Sequence, residues 1–239
     1  SNPNYAVEWP FTSFNQSFAE MTLSEKLVQI KDALPPEVTL VAVSKTKPET
    51  DILEAYRTGH RIFGENKVQE MTQKWENLPK DIEWHMIGHV QRNKVKYMAP
   101  FVSLIHGVES LRLLKEIDKQ AAKNGRCIDC LLQMHIAQEE TKFGLDHSEL
   151  EHLVDSEAFK TLQNVRVVGL MGMATFTENL AQIRKEFVHL RTQFEKLKAR
   201  LPEIHILSMG MSGDYPIAIE EGSTMVRIGS SIFGARNYS

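Results

Sequence analysis

What most constrains this chain is a regular alternation along its 239 residues: short apolar runs separated by amphipathic stretches, with no low-complexity tract and no Gly/Ser linker. The apolar runs are residues 38–44, 61–64, 84–88, 101–107, 128–136, 165–173, 204–209 and 225–229. Most are rich in Val, Ile, Leu and Phe and short enough to be strands buried on both faces, as a parallel sheet requires. Helix-like segments lie between them at 49–58, 67–77, 111–123 and 180–200. The last carries Ile183, Phe187, Leu190, Phe194 and Leu197 at three- and four-residue spacing, the signature of one buried helical face. A further helix at 23–33 precedes the first strand. Eight strands alternating with helices predict an α/β fold, a single (β/α)8 TIM barrel with an extra N-terminal helix and no second domain. An open doubly wound sheet is the alternative, but no G-x-G-x-x-G follows the first strand, so its dinucleotide-binding form has no support. The expected division is an N-terminal extension at 1–20, whose opening Ser1-Asn2 could be a cloning remnant and carries no weight, and a barrel at 21–239.

Composition narrows the partners. A net charge of -3 with interspersed signs gives no reason to expect nucleic acid. No apolar run approaches the roughly 18 residues that span a bilayer, and residues 1–16 lack the charged and apolar regions of a signal peptide. A cytoplasmic protein is expected. The two cysteines, Cys127 and Cys130, form a C-x-x-C that opens an apolar strand-like run and lacks two further ligands at zinc spacing, so buried structural thiols are expected. His85 and His89 would share a face of a regular strand, but no third ligand accompanies them, so no metal site is assigned. The basic stretch 91–96 reads as a solvated helix face that could also meet an anionic partner.

In such a barrel the reactive groups gather where the strands end at their C-termini. Lys45 follows the first strand, Glu65 and Asn66 the second, and His85 and His89 fall at the third. The loops after strands seven and eight, where barrels often bind phosphate, read Ser208-Met209-Gly210-Met211-Ser212-Gly213 and Gly229-Ser230-Ser231. Glycine lets backbone amides approach an anion and serine adds donors, although both residues are also common in caps and turns. Partial burial of Lys45 at the mouth would increase the neutral amine able to attack an aldehyde. A phosphate site beside such a lysine points to pyridoxal 5′-phosphate. Arg227, on the eighth strand, needs a partner if buried. It either forms an ion pair with Glu65 or Asp214, or donates to the pyridine nitrogen of the cofactor, which would leave that nitrogen unprotonated and the ring a weak electron sink.

The segments V-A-V-S-K-T-K-P (41–48), F-G-E-N-K-V-Q-E (63–70), W-H-M-I-G-H-V-Q-R-N-K (84–94), G-L-M-G-M (169–173), L-S-M-G-M-S-G-D (207–214) and G-S-T-M-V-R-I-G-S-S-I-F-G-A-R (222–236) together resemble the pyridoxal phosphate homeostasis family, also called the YggS-like or proline synthetase co-transcribed family. The resemblance covers nearly the whole chain. It implies a barrel like that of alanine racemase, a Schiff base on Lys45, and phosphate contacts from Ser208, Ser212, Gly229 and Ser230. It also implies a pyridine-nitrogen contact from Arg227, with Asn66 and His85 lining the pocket. Members bind and hand over the cofactor and so affect vitamin B6 balance, which makes apo-enzymes that accept it candidate partners; a monomer is expected. The chain departs from common family patterns at Gly88-His89-Val90-Gln91, at Ser230 and at Ala174-Thr175.

A carrier is expected in preference to an enzyme. The barrel pattern ends near Gly234 with no room for the second domain of alanine-racemase-like enzymes, and none of Tyr5, Tyr56, Tyr97, Tyr215 or Tyr238 has an evident claim to be the second acid/base that a racemase needs. No catalytic residue is therefore assigned. The rivals are a small fold-type-III racemase or decarboxylase, which would exchange the α-proton of amino acids, and a sugar-phosphate enzyme, which would form no imine.

Overall fold

The computed structural model describes residues 16–140 and 143–235. Eight parallel strands close into a barrel in sequence order: β1 (Thr39–Val43), β2 (Ile62–Glu65), β3 (Glu83–Met86), β4 (Leu104–Val108), β5 (Ile128–Met134), β6 (Val165–Gly172), β7 (Ile206–Met211) and β8 (Met225–Ile228), the last pairing with β1. Helices α1 (Gln16–Glu20) and α2 (Leu23–Ala33) precede the barrel. Those that follow are α3 (Glu49–Tyr56), α4 (Val68–Asn77), α5 (Val95–Met98), α6 (Leu111–Lys123), α7 (His147–Asp155), α8 (Glu157–Lys160), α9 (Leu180–Arg200), α10 (Tyr215–Glu220) and α11 (Ser230–Phe233). The predicted barrel and its leading helix are thus both present. Residues 1–15 of the expected N-terminal extension lie outside the described residues, as do residues 236–239.

The strands are mainly apolar because each has two largely buried faces. Residues facing outward, such as Trp84, Ile105, Leu132 and Val226, join the large core beneath the helices. Those facing inward, Val41, Leu104, Leu131, Val168, Met171 and Met225, form a second cluster that fills the barrel. Closing the ring needs a close approach of β6 and β7 at Gly169, where a Cβ would lie 1.8 Å from the Ile206 carbonyl oxygen.

The long helix α9 is fastened as its sequence predicts. Asn179 caps its start by accepting from the Gln182 amide at 3.2 Å, and Ile183, Phe187, Leu190, Phe194 and Leu197 are buried. In α7, Asp146 and Glu149 make a reciprocal capping box. No helix among the described residues is long and apolar enough to cross a membrane.

The one-sided burial of α9 gives a direct test. Phe187→Ala, at a fully buried position, is expected to cost about 3–5 kcal/mol of unfolding free energy. Its neighbour Val188 is 42% exposed, and Val188→Ala should change stability by less than about 0.5 kcal/mol. Denaturant titrations of the two variants measure the contrast.

Candidate functional site

The inner face of the barrel changes character along the strands. Leu104, Leu131, Ile206 and Met225 line the apolar plug, and each is followed two residues later, on the same face of its strand, by His106, Gln133, Ser208 or Arg227. With His85 of β3 these form a polar layer toward the C-terminal mouth, every member of it buried.

The layer is joined by directed hydrogen bonds. Arg227 donates through Nη1 to the Ser208 hydroxyl oxygen and through Nη2 to the Gly172 carbonyl at 3.1 Å. The Ser208 hydroxyl, which accepts from the guanidinium, lies 3.0 Å from His106 Nδ1, and His106 Nε2 lies 3.0 Å from His85 Nδ1. Each neutral imidazole carries one N–H and one acceptor nitrogen, so one ring donates to the other. Both rings are neutral: burial pushes His85 down to about 3, and burial, with the nearby His85 and Arg227, holds His106 well below the usual range. Burial also lowers Arg227 to about 10, opposed by Asp214, so the guanidinium remains charged at neutral pH.

Of the two ion-pair partners expected for Arg227, only Asp214 acts on it. Glu65 lies on the outer face of β2, where Lys74 of α4 meets it at 3.1 and 3.0 Å and the Ser44 hydroxyl donates to it. Burial pushes the Glu65 carboxyl up to about 7, against Lys74 and Ser44.

Lys45 follows β1 at the mouth, but it is exposed, which corrects the expectation of partial burial. The strand ends in buried Val43 and Ser44; the chain then turns through Thr46 in a left-handed conformation, φ 64°. Asn66, after β2, is half-buried, and its backbone crosses Gly88 so closely that a Cβ there would meet the Asn66 carbonyl oxygen at 2.4 Å.

Beyond β7, Ser212 reaches across to β8. Its hydroxyl oxygen accepts from the backbone amides of Gly229, at 3.2 Å, and Ser231, at 3.4 Å. Gly229 packs against Val43 of the neighbouring β1, with a Cβ there meeting Val43 Cβ at 3.1 Å, and Ser230 is exposed beside it. Ser208, by contrast, is fully buried below this loop, with its hydroxyl committed to Arg227 and His106.

Two further expectations are corrected. β3 ends at Met86, so His89 does not share a face with His85; it is exposed, 3.1 Å from Glu109, and stacked on Phe143. Only Cys130 of the cysteine pair is buried, its thiol pushed up by burial, whereas Cys127, before β5 begins, is exposed. The basic stretch begins as a 3-10 turn, Arg92–Lys94, before the short α5. His106, Gln133 and Lys74 were not singled out by their sequence. The signals were an imidazole two residues from inward Leu104, and a lysine three residues beyond Met71 on the apolar face of α4.

Comparison with known proteins matches this arrangement. The family model for the alanine racemase N-terminal domain fits residues 21–237. The pyridoxal phosphate homeostasis protein of Aquifex aeolicus is 43% identical over 83% of this chain and 87% of its own. That of Vibrio alginolyticus is 38% identical over 95% of this chain and all of its own. Among solved structures, PipY of Synechococcus elongatus, in the form with pyridoxal phosphate (PLP) bound, superposes with a TM-score of 0.81 at 36% identity, covering 89% of this chain and all of that one. The chain therefore belongs to the alanine racemase N-terminal domain family and, within it, to the pyridoxal phosphate homeostasis proteins.

Proposed function

We propose that this protein binds pyridoxal 5′-phosphate as a Schiff base on Lys45 and serves in vitamin B6 homeostasis as a carrier of the cofactor, without robust catalysis. One observation carries the reading. β1 and β8 are adjacent, with Val41 opposite Arg227, so the lysine following one strand and the buried cation and converging amides of the other share one end of the barrel. The residues fit the cofactor's three functional parts. Lys45 supplies an amine. The amides that converge on Ser212 Oγ can instead serve phosphate oxygens, with the Ser212 and Ser230 hydroxyls beside them. Arg227 has five N–H donors and commits two of its nitrogens once each, which leaves a donor for the pyridine nitrogen.

When bound, the cofactor supplies an aldehyde and a ring that withdraws electrons best when its nitrogen is protonated. Lys45 would hold the cofactor through Nζ, the amine that the aldehyde carbon can take up with loss of water. Arg227 donates a hydrogen bond and keeps its proton, so it favours an unprotonated ring nitrogen. Ser208 enters as the group that orients Arg227, in place of the phosphate contact implied by family resemblance. Asn66 and the neutral His85 line the pocket. The carrier reading draws support from the tyrosines. Tyr56 donates to Asp81 at 2.7 Å, Tyr97 is exposed on α5, and burial pushes Tyr215 up to about 12. Tyr5 and Tyr238 lie outside the described residues. A monomer in the cytoplasm, handing cofactor to apo-enzymes, completes the proposal.

Added cofactor should produce a Schiff-base absorbance band that is absent in Lys45→Ala, and borohydride followed by peptide mapping should find the adduct on Lys45. A band retained in the variant, or an adduct spread over surface lysines, contradicts the reading. No α-proton exchange of amino acids in heavy water is expected above background.

The neutral histidines predict a pH dependence. In the unfolded chain His85 and His106 take up protons near the ordinary value of about 6.5; in the fold they do so far lower. Their contribution is therefore complete above pH 6.5 and lost progressively as pH falls toward 3. Melting temperatures across this range should fall less steeply for His106→Asn than for the native chain.

A further inference from the structure

Lys45 is exposed, yet the residues on both sides of it are held by one buried cluster. Ser44 is held by its amide, hydroxyl and carbonyl: its amide donates to the Gly64 carbonyl at 3.0 Å, its hydroxyl donates to Glu65, and its carbonyl accepts from Lys74 Nζ at 2.8 Å. Thr46 donates its amide to Glu70 Oε2 at 2.7 Å. The cluster is continuous, because Lys74 bridges Glu65 and Glu70, meeting the latter at 2.6 Å one turn away on α4.

Two features indicate that this cluster does more than pack α4 against β2. Thr46 is the one non-glycine among the described residues with positive φ. A β-branched residue rarely adopts that conformation, and it persists where surrounding contacts over-determine it. The Lys74–Glu65 pair is also almost wholly buried, with side-chain exposures of 6% and 0%. A buried ion pair is a poor route to stability compared with apolar packing, so the geometry it fixes is the more economical reason for it.

We propose that Glu70, acting with Lys74 and Glu65, is a positioning residue for Lys45: it clamps the backbone on either side of the lysine, so that its amine is presented at the mouth at a fixed height above the Gly229 amide. The proposal rests on the reading of Lys45 as the Schiff-base lysine. Glu70 makes no hydrogen bond to the lysine side chain. It acts through the amide of Thr46 and through Lys74, which ties it to Ser44.

Glu70→Ala and Glu70→Gln test it. Glu70 is only partly buried and lies in the first turn of α4, where alanine is a good helix former, so both variants should fold. Glutamine keeps an oxygen for the Thr46 amide; alanine keeps none. In the cofactor-free protein, hydrogen exchange at the Thr46 amide should accelerate about tenfold in Glu70→Ala, on the scale of one lost charge-assisted hydrogen bond, and less in Glu70→Gln. With cofactor added, the borohydride adduct should remain on Lys45 in both, while release of pyridoxal phosphate quickens about tenfold in Glu70→Ala and is largely restored in Glu70→Gln. Native exchange and release rates in Glu70→Ala, with the adduct on Lys45, would overturn the positioning role and leave the Schiff-base reading intact. Failure of the native chain to form an adduct on Lys45 would overturn that reading, and the present proposal with it, whatever the exchange at Thr46.

Discussion

A guanidinium placed inside a barrel must be solvated by the protein, and the upper layer of this barrel is organised around that demand. Arg227 is 3% exposed and still charged at neutral pH. Its neighbours answer it in order: the Gly172 carbonyl and Ser208 hydroxyl accept from it, Ser208 is bonded to His106, and His106 to His85. Both imidazoles are kept neutral by burial. The result is a layer with one fixed positive charge and fixed donors, closed below by the apolar plug of Val41, Leu104, Leu131, Val168, Met171 and Met225. A layer of this kind suits a ligand that must be held in one orientation without gaining a proton from its surroundings.

The second polar cluster, outside the barrel, serves a different end. Glu65, Lys74 and Glu70 lie between β2 and α4, and their bonds run to Ser44 and Thr46. The inner cluster lines the barrel beneath the mouth, and the outer one bonds the backbone on either side of Lys45. The two are joined through the backbone where β1 pairs with β8 and where β2 pairs with β3, Gly64 lying opposite His85.

Much of the fold was legible in the sequence, because eight apolar runs at regular spacing have few ways to bury both faces. The helical face of α9 was legible for the same reason: Ile183 to Leu197 repeat at the helical period. Of the candidate site, what was legible was the placement of Lys45, Ser212 and Gly229 just beyond strand ends. It was not legible where the deciding contact joins residues distant in sequence. Nothing local announces that His106 will meet Ser208, 102 residues away, or that Glu65 will turn outward to Lys74 and leave Arg227 to Asp214. The exposure of Lys45 was misjudged because strand hydrophobicity predicts the burial of the strand and says little about the turn at Thr46. The burial of Cys127 was misjudged likewise, since the strand begins one residue later.

The central claim is that Arg227 meets the cofactor as a permanently charged donor and leaves its ring nitrogen unprotonated. The most direct measurement is the 15N resonance of the bound cofactor, labelled at the ring nitrogen, at neutral pH. The account predicts the shift of an unprotonated, hydrogen-bonded pyridine nitrogen, moving toward the free-base value in Arg227→Gln. A protonated nitrogen, shown by its shift and by a one-bond coupling to hydrogen, would contradict it.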